Sequence, residues 1–189
     1  MSDVPTSLAD KIVVLHRSLK EAGLAHAFGG ALALAYCTQE PRATRDIDIN
    51  IFVSPDEVDH MVPGLAVGIE VSEKNRSELV RDGQSRLWWD DTPVDIFLSN
   101  HSFHDNVREN LRFVPFADVE DLPVLACTDL AVFKAFFGRP KDAIDIAAMV
   151  GVKAVDLRQL DRDVAALLGA SDERAAFFAL VRSAVPDYE

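Results

Sequence analysis

Arg42 to Phe52 reads R-A-T-R-D-I-D-I-N-I-F. Two carboxylates, Asp46 and Asp48, alternate there with Ile47, Ile49 and Ile51. A period of two marks a β-strand with one buried face. The pattern departs from an ordinary half-buried strand because its polar face carries acids. On a strand rising about 3.3 Å per residue, Asp46 and Asp48 point the same way, about 6–7 Å apart. Like charges held side by side repel unless a cation lies between them, and Asp is a poor strand former. A strand that keeps two acids among isoleucines is expected to use them.

Upstream, Leu24 to Phe28 reads as a short buried strand, followed at once by Gly29-Gly30 and the helix-forming run A-L-A-L-A-Y. Two readings of the glycine pair are open. It is a tight turn, or it lets a phosphate approach the backbone at a helix N-terminus, where unpaired N–H groups and a partial positive charge suit an anion. Thr38 to Thr44, with Pro41, is a loop.

Downstream, Ser85–Trp89 and Val94–Leu98 flank Asp90-Asp91-Thr92-Pro93 and read as a β-hairpin. Asp95 lies in its second strand between Val94 and Ile96. Three carboxylates on neighbouring strands can converge on one point, and the oxygen ligands they supply are those Mg²⁺ shares with substrate phosphates. Two such ions can activate a hydroxyl and stabilise a leaving oxygen. The alternative is that the acids face solvent.

The bulk properties narrow the classes. The chain has 189 residues, 49% of them hydrophobic and 26% charged, as expected of a globular protein of one domain or a core with an appendage. No apolar run approaches the roughly 20 residues of a membrane span. Met-Ser-Asp-Val-Pro at the start has no basic region followed by an apolar block, so no secretory signal is expected. With only Cys37 and Cys127, far apart in sequence, the expectation is buried free thiols in a reducing cytoplasm. The net charge of −12 argues against a general nucleic-acid coat, because Lys and Arg contacts to phosphate dominate that affinity. Positive residues gather at Arg42 and Arg45, and again at Lys74, Arg76, Arg81 and Arg86.

Helix signals fill the rest. Ser7 with Asp10 caps a first helix ended by Gly23, Ser54-Pro55 starts a second to about Val62, and Ser72 to Asp82 is a third. Gly68–Val71 is a candidate strand, His101–Asn110 a short helix, and Arg112–Leu125 irregular or in short strands. From Thr128, expected to cap a helix ending at Gly138, the chain reads as helical: Pro140 to about Val150, Asp156 to Gly169, and Ser171 to about Ala184. The expected class is α+β. A mixed sheet flanked by helices occupies residues 1–125, and a helical part, 126–189, packs on it to make a single compact unit.

Strand, Gly29-Gly30, helix, then Thr44-x-Asp46-x-Asp48, then Asp95 in an apolar strand together resemble the nucleotidyltransferase superfamily, with its polymerase-beta-like fold. The later segment D-L-A-V-F-K-A-F-F-G-R-P-K-D-A-I-D-I is similar to the corresponding segment of abortive-infection-type (AbiEii-like) nucleotidyltransferase toxins. Together the matches cover roughly residues 24 to 150. Gly30 stands where many relatives have a serine, which leaves phosphate contact to the backbone. The resemblance implies that Asp46, Asp48 and Asp95 hold two Mg²⁺ ions and that Asp95 helps deprotonate an acceptor hydroxyl. It implies that Gly29 and Gly30 seat the triphosphate, that Lys134 sits on the phosphates, and that Arg139, Asp142 and Asp145 complete the site or brace it. Implied partners are a nucleoside triphosphate, an RNA such as a tRNA 3′ end, and a cognate antitoxin. A small hydroxylated acceptor such as an antibiotic is the alternative, and a silent nucleotide- or partner-binding member is the third.

The same residues have plainer readings. Lys134, in an apolar helix, can snorkel to solvent. Asp142 and Asp145, three apart, can simply favour a helix N-terminus. Between them Asp145, flanked by Ile144 and Ile146, is the one expected to be less exposed. Thr44 touches a phosphate or caps the strand start, and Arg42 and Arg45 steer a substrate or offset local acids. Of Trp88 and Trp89 one faces inward, and the other can stack on a base. His101-x-x-His104 lacks a third ligand nearby and is not expected to bind metal.

Overall fold

The computed structural model describes residues 7–169 and 171–183. In chain order the strands are β1 (His26–Phe28), β2 (Ile47–Ile51), β3 (Ile69–Glu70), β4 (Gln84–Trp89), β5 (Thr92–Leu98), β6 (Arg112–Phe116) and β7 (Val119–Val124). The helices are α1 (Leu8–Glu21), α2 (Gly30–Thr38), α3 (Val58–Met61), α4 (Glu73–Asp82), α5 (Phe103–Glu109), α6 (Cys127–Phe137), α7 (Pro140–Gly151), α8 (Leu157–Leu168) and α9 (Glu173–Ser183). Ala184, the expected end of the last helix, lies outside the described residues. No described helix is long and apolar enough to cross a membrane.

The strands make one mixed sheet in the order β3-β4-β5-β2-β1-β7-β6. β2 runs parallel to β5 and antiparallel to β1, and β1 runs parallel to β7. Ile47, Ile49 and Ile51 of β2 share one face with Val94, Ile96 and Leu98 of β5 and with Leu87 and Trp89 of β4, and all eight are buried. Burying that apolar face is what fixes the register, since a one-residue slip would turn the isoleucines outward. His26 of β1, opposite Ile51, lies on the same face and meets His16 of α1, whose Ile12, Leu15 and Leu19 are also buried. Ser7 and Asp10 start α1 with reciprocal backbone hydrogen bonds of 3.1 and 3.0 Å, the capping box seen in the sequence.

Two compact units emerge. One runs to Ala31 and resumes over Ala43–Val124, and it holds the whole sheet. The other comprises Leu32–Arg42 and the chain from Leu125 onward. Most of α2 and the loop after it thus group with the C-terminal helices.

Arg112–Leu125 forms the short strands that were one of its two expected readings, β6 and β7, paired antiparallel with a register shift between Val114 and Phe116. Two expectations are corrected. Thr128 is not a cap: α6 begins at Cys127 after Ala126, and the Thr128 hydroxyl accepts the Asp156 N–H at 3.0 Å. Cys37 and Cys127 are not free thiols. They form a disulfide across 90 residues, with Cα atoms 5.6 Å apart, because the end of α2 lies beside the start of α6 within the helical unit. The disulfide removes the ground on which the two cysteines pointed to a reducing compartment.

Candidate active site

The face of the sheet opposite the isoleucines carries the acids. Asp48 on β2 stands directly beside Asp95 on β5, and Asp95 directly beside Arg86 on β4. All three side chains therefore leave the same face, and Asp46, two residues before Asp48, shares it. Arg86 closes the row. Its Nε donates to Asp95 Oδ1 and its Nη2 to Asp95 Oδ2, each at 2.7 Å, and Nη2 lies 4.0 Å from Asp46 Oδ2. The hydrogen bond to Asp95, followed by the charges of Asp95, Asp46 and Asp48, raises the Arg86 pKa above its ordinary value.

Backbone geometry sets the position of each acid. The Gly29 N–H donates to the Asp48 carbonyl at 2.9 Å, which ties the turn after β1 to β2. Gly30 follows at φ +51°, and a Cβ there would overlap the Asp48 carboxylate. Only glycine fits both the left-handed backbone and the carboxylate against it. Thr44 folds back on Asp46: its hydroxyl donates to Asp46 Oδ1 and lies 3.4 Å from the Asp46 N–H. These contacts tie Thr44 to the start of the strand. Arg45 is exposed beside it.

Two residues of this face escaped the sequence reading. Asn50 continues the alternation after Asp46 and Asp48, and its side-chain carbonyl oxygen is buried with no hydrogen-bond partner. Arg86 was counted only as part of a basic cluster. Its place opposite Asp95 follows from the hairpin register, the signal that could have found it. Trp88, two residues along β4 from Arg86, shares the face at 49% exposure, whereas Trp89 on the other face is 3% exposed.

The remaining candidates form a second group, inside the helical unit. Lys134 on α6 is buried, with Nζ 2.7 Å from Asp145 Oδ2 and 3.5 Å from Asp142 Oδ1. Asp142 takes Arg139 Nε at 2.7 Å, and Asp145 takes Arg42 Nη1. Arg42, Asp145, Lys134, Asp142 and Arg139 thus alternate in sign along one chain of contacts, buried at the centre and half-exposed at both arginine ends. Both acids are buried, but the expected order is reversed: Asp142 is fully buried, and Asp145, whose neighbour Ile144 is exposed, is slightly less so. His101 and His104 stay local: the His101 carbonyl lies 3.1 Å from His104 Nδ1.

No family model matches the sequence, and no curated protein matches it. Solved structures do. The antibiotic-resistance factor ANT(2'')-Ia, solved in solution, aligns over 95% of this chain and 98% of its own, with a TM-score of 0.60 at 12% identity. The chain has a nucleotidyltransferase fold. An antigenic nucleotidyltransferase-like protein from Paracoccidioides brasiliensis aligns over 97% of both chains, with a TM-score of 0.53 at 14% identity. A crystal structure of ANT(2'')-Ia in complex with adenylyl-2''-tobramycin aligns over 94% of this chain and 98% of that one, with a TM-score of 0.52 at 12% identity.

The donors on the acid face suit the cation the resemblance implies. Three carboxylates form an all-oxygen set of the kind Mg²⁺ takes, and Gly30 leaves the Asp48 carboxylate room that any side chain would fill. As the side chains stand, however, no three Asp, Glu, His or Cys among the described residues gather closely enough to hold a metal ion. Both oxygens of Asp95 are turned to Arg86.

Proposed function

We propose that this chain moves a nucleoside monophosphate from a nucleoside triphosphate to the hydroxyl of a small acceptor. The observation that carries the reading is the row Gly30, Asp48, Asp95, Arg86 across one face of a nucleotidyltransferase-fold sheet. The amides that open α2 at Gly30 and Ala31 seat the phosphates, with the helix N-terminus behind them. Mg²⁺, held by Asp46 and Asp48 with Asp95, would offset the charge on the phosphoryl oxygens. Asp95 takes the proton of the acceptor hydroxyl. The new bond joins that oxygen to the α-phosphorus, the bond from the α-phosphorus to the bridging oxygen breaks, and pyrophosphate leaves with the electron pair.

Sheet order supports one side for the acceptor. Gly30 lies beyond β2 towards β1, whereas Arg86 and Trp88 lie beyond β5 on β4. With phosphates at Gly30, an acceptor activated at Asp95 enters from the β4 side.

A small acceptor is favoured over RNA because the basic residues are largely spent. Arg42, Lys74, Arg76 and Arg81 are ion-paired to Asp145, Glu78, Asp59 and Asp82. Little positive surface is left for a phosphate backbone, in a chain of net charge −12. Whole-chain likeness to ANT(2'')-Ia, seen with an adenylylated antibiotic, supports the same choice. RNA transfer by a toxin with a cognate antitoxin is the second reading, and half-exposed Trp88 is the observation that favours it.

The test is to incubate the protein with each α-labelled triphosphate and Mg²⁺, adding either total RNA or a panel of hydroxylated antibiotics that includes tobramycin, and to repeat with Asp48→Asn. Label in the small molecules, lost in the variant, supports the first reading, and label in RNA the second. No Mg²⁺-dependent triphosphate binding or transfer would leave a silent member of the fold.

A further inference from the structure

We propose that Arg86 is a built-in counter-cation of the acid face, released from Asp95 when a triphosphate arrives, so that capture of the divalent ion waits on the nucleotide. This rests on the function proposed above and makes Arg86 a positioning residue. Three carboxylates leave one face, and among the described strand residues Arg86, directly opposite Asp95, is the cationic side chain in register with them. Its fork covers both Asp95 oxygens at 2.7 Å and reaches Asp46 at 4.0 Å. A carboxylate gripped on both oxygens has part of its lone-pair capacity taken, and a guanidinium that close repels an incoming cation. This accounts for three acids on one face without a group of three poised for a metal among the described residues.

The contact is built to open. Arg86 and Asp46 have side chains 53% and 36% exposed, so water screens the pairing, and a long arginine stem swings without disturbing the strand. Phosphate oxygens are the guanidinium's other preferred bidentate partner. A triphosphate bound along this face offers Arg86 that partner and frees Asp95 in the same event. Metal alone must compete with Arg86, whereas metal with nucleotide need not.

Mn²⁺ is the probe, followed by the electron-paramagnetic signal of the free ion. An equimolar mixture of the four α,β-methylene nucleoside triphosphates serves as the non-transferring donor. Wild type, Arg86→Gln, Arg86→Lys and the double variant Arg86→Gln/Asp48→Asn are titrated with and without it, after circular dichroism has shown that each folds. Without nucleotide, Arg86→Gln should bind Mn²⁺ about ten-fold more tightly than wild type, with Arg86→Lys between, as expected for removing one nearby positive charge at a partly exposed site. With the analogues present, that advantage should shrink to about two-fold or reverse. Equal or weaker Mn²⁺ binding by Arg86→Gln overturns the release of Arg86 but leaves the transferase reading standing. Mn²⁺ binding that survives Asp48→Asn, or that fails in every variant even with the analogues, overturns both.

Discussion

The α-carbon of Gly30 packs directly against the carboxylate of Asp48. One glycine thus joins the turn after β1, at φ +51°, to an acid of the candidate metal site. Gly30→Ala strains the backbone and drives a methyl group into the carboxylate at once. The expected result is a loss of about 1–3 kcal/mol of stability and at least a hundred-fold loss of transfer activity. Gly23→Ala is the control. Its φ is +70° but nothing lies within 4 Å of the added carbon, so it should cost about 1 kcal/mol and leave activity intact. Equal activity in the two variants, at matched thermal stability, would show that the Gly30–Asp48 contact is dispensable.

Lys134 is expected to act as a brace rather than as a hand on the phosphates. Its ammonium is buried between Asp142 and Asp145, 2.7 Å from Asp145 Oδ2 and 3.5 Å from Asp142 Oδ1. Lys134→Met removes the centre of a five-residue charge chain and leaves two acids buried together. The expected cost is about 3–5 kcal/mol, a fall of roughly 10 °C in melting temperature for a chain of this size. Calorimetry against the KM for the triphosphate separates the roles. A higher KM with unchanged melting would return Lys134 to the phosphates.

What the sequence could reveal followed from local pattern. Alternating Asp and Ile over residues 46–51 predicted both the strand and the face its acids take, because a single buried face admits one register. The capping box at Ser7 and Asp10 and the glycine stop at Gly23 placed α1 for similarly local reasons. Arg86 meets Asp95 only nine positions away, through a hairpin register the local pattern carried. What stayed hidden depends on residues far apart in the chain: Arg42 meets Asp145 across 103 positions, and Cys37 meets Cys127 across 90. No local periodicity carries those distances. The Lys134 segment showed its charges but not their pairing, so a phosphate contact and a buried brace looked alike.

Trp88 should form one wall of the acceptor site. It is half-exposed on the acid face, on the β4 side of Asp95, while Trp89, the chain's other tryptophan, is buried. Trp88→Ala is expected to raise the KM for the acceptor about ten-fold, the worth of one stacking contact, with Trp88→Phe intermediate. The KM for the triphosphate should hold, and melting should move within about 0.5 kcal/mol, as for other surface changes. A selective rise in the triphosphate KM would place the donor's base on Trp88 instead.

Reduction should weaken the helical unit. The Cys37–Cys127 bond closes a loop of 90 residues, and by chain entropy a cross-link over a loop of that length contributes about 4–5 kcal/mol, mainly by restricting the unfolded chain. Thiol titration of the denatured, non-reduced protein should find no free thiol, and two after reduction. Adding a reductant should lower the melting temperature of wild type but not of a Cys37→Ser/Cys127→Ser variant. Two titratable thiols before reduction would contradict the bond.

His16 and His26 make stability depend on pH in a definite direction. The Leu24 carbonyl, 2.7 Å from His26 Nδ1, fixes the proton there, so His26 Nε2 accepts from His16 Nδ1 at 3.0 Å. Both rings are neutral, and burial, the leading cause for each, lowers both pKa values, that of His26 from 6.5 to about 4. The unfolded chain therefore binds more protons than the folded one between pH 6.5 and about 4, and stability rises with pH across that window. The contribution is complete above pH 6.5 and is lost as pH falls towards 4, by about 3 kcal/mol for His26. Carboxylates act lower. Asp172, held near 2 by its hydrogen bonds to Arg174, loses its contribution only as pH falls below its ordinary 3.8. Urea denaturation between pH 4.5 and 7.5 should show the slope in wild type and a flatter line in His26→Phe, whose ring stays neutral throughout. Equal slopes in the two proteins, or an NMR titration placing His26 near 6.5, would reject the buried neutral pair.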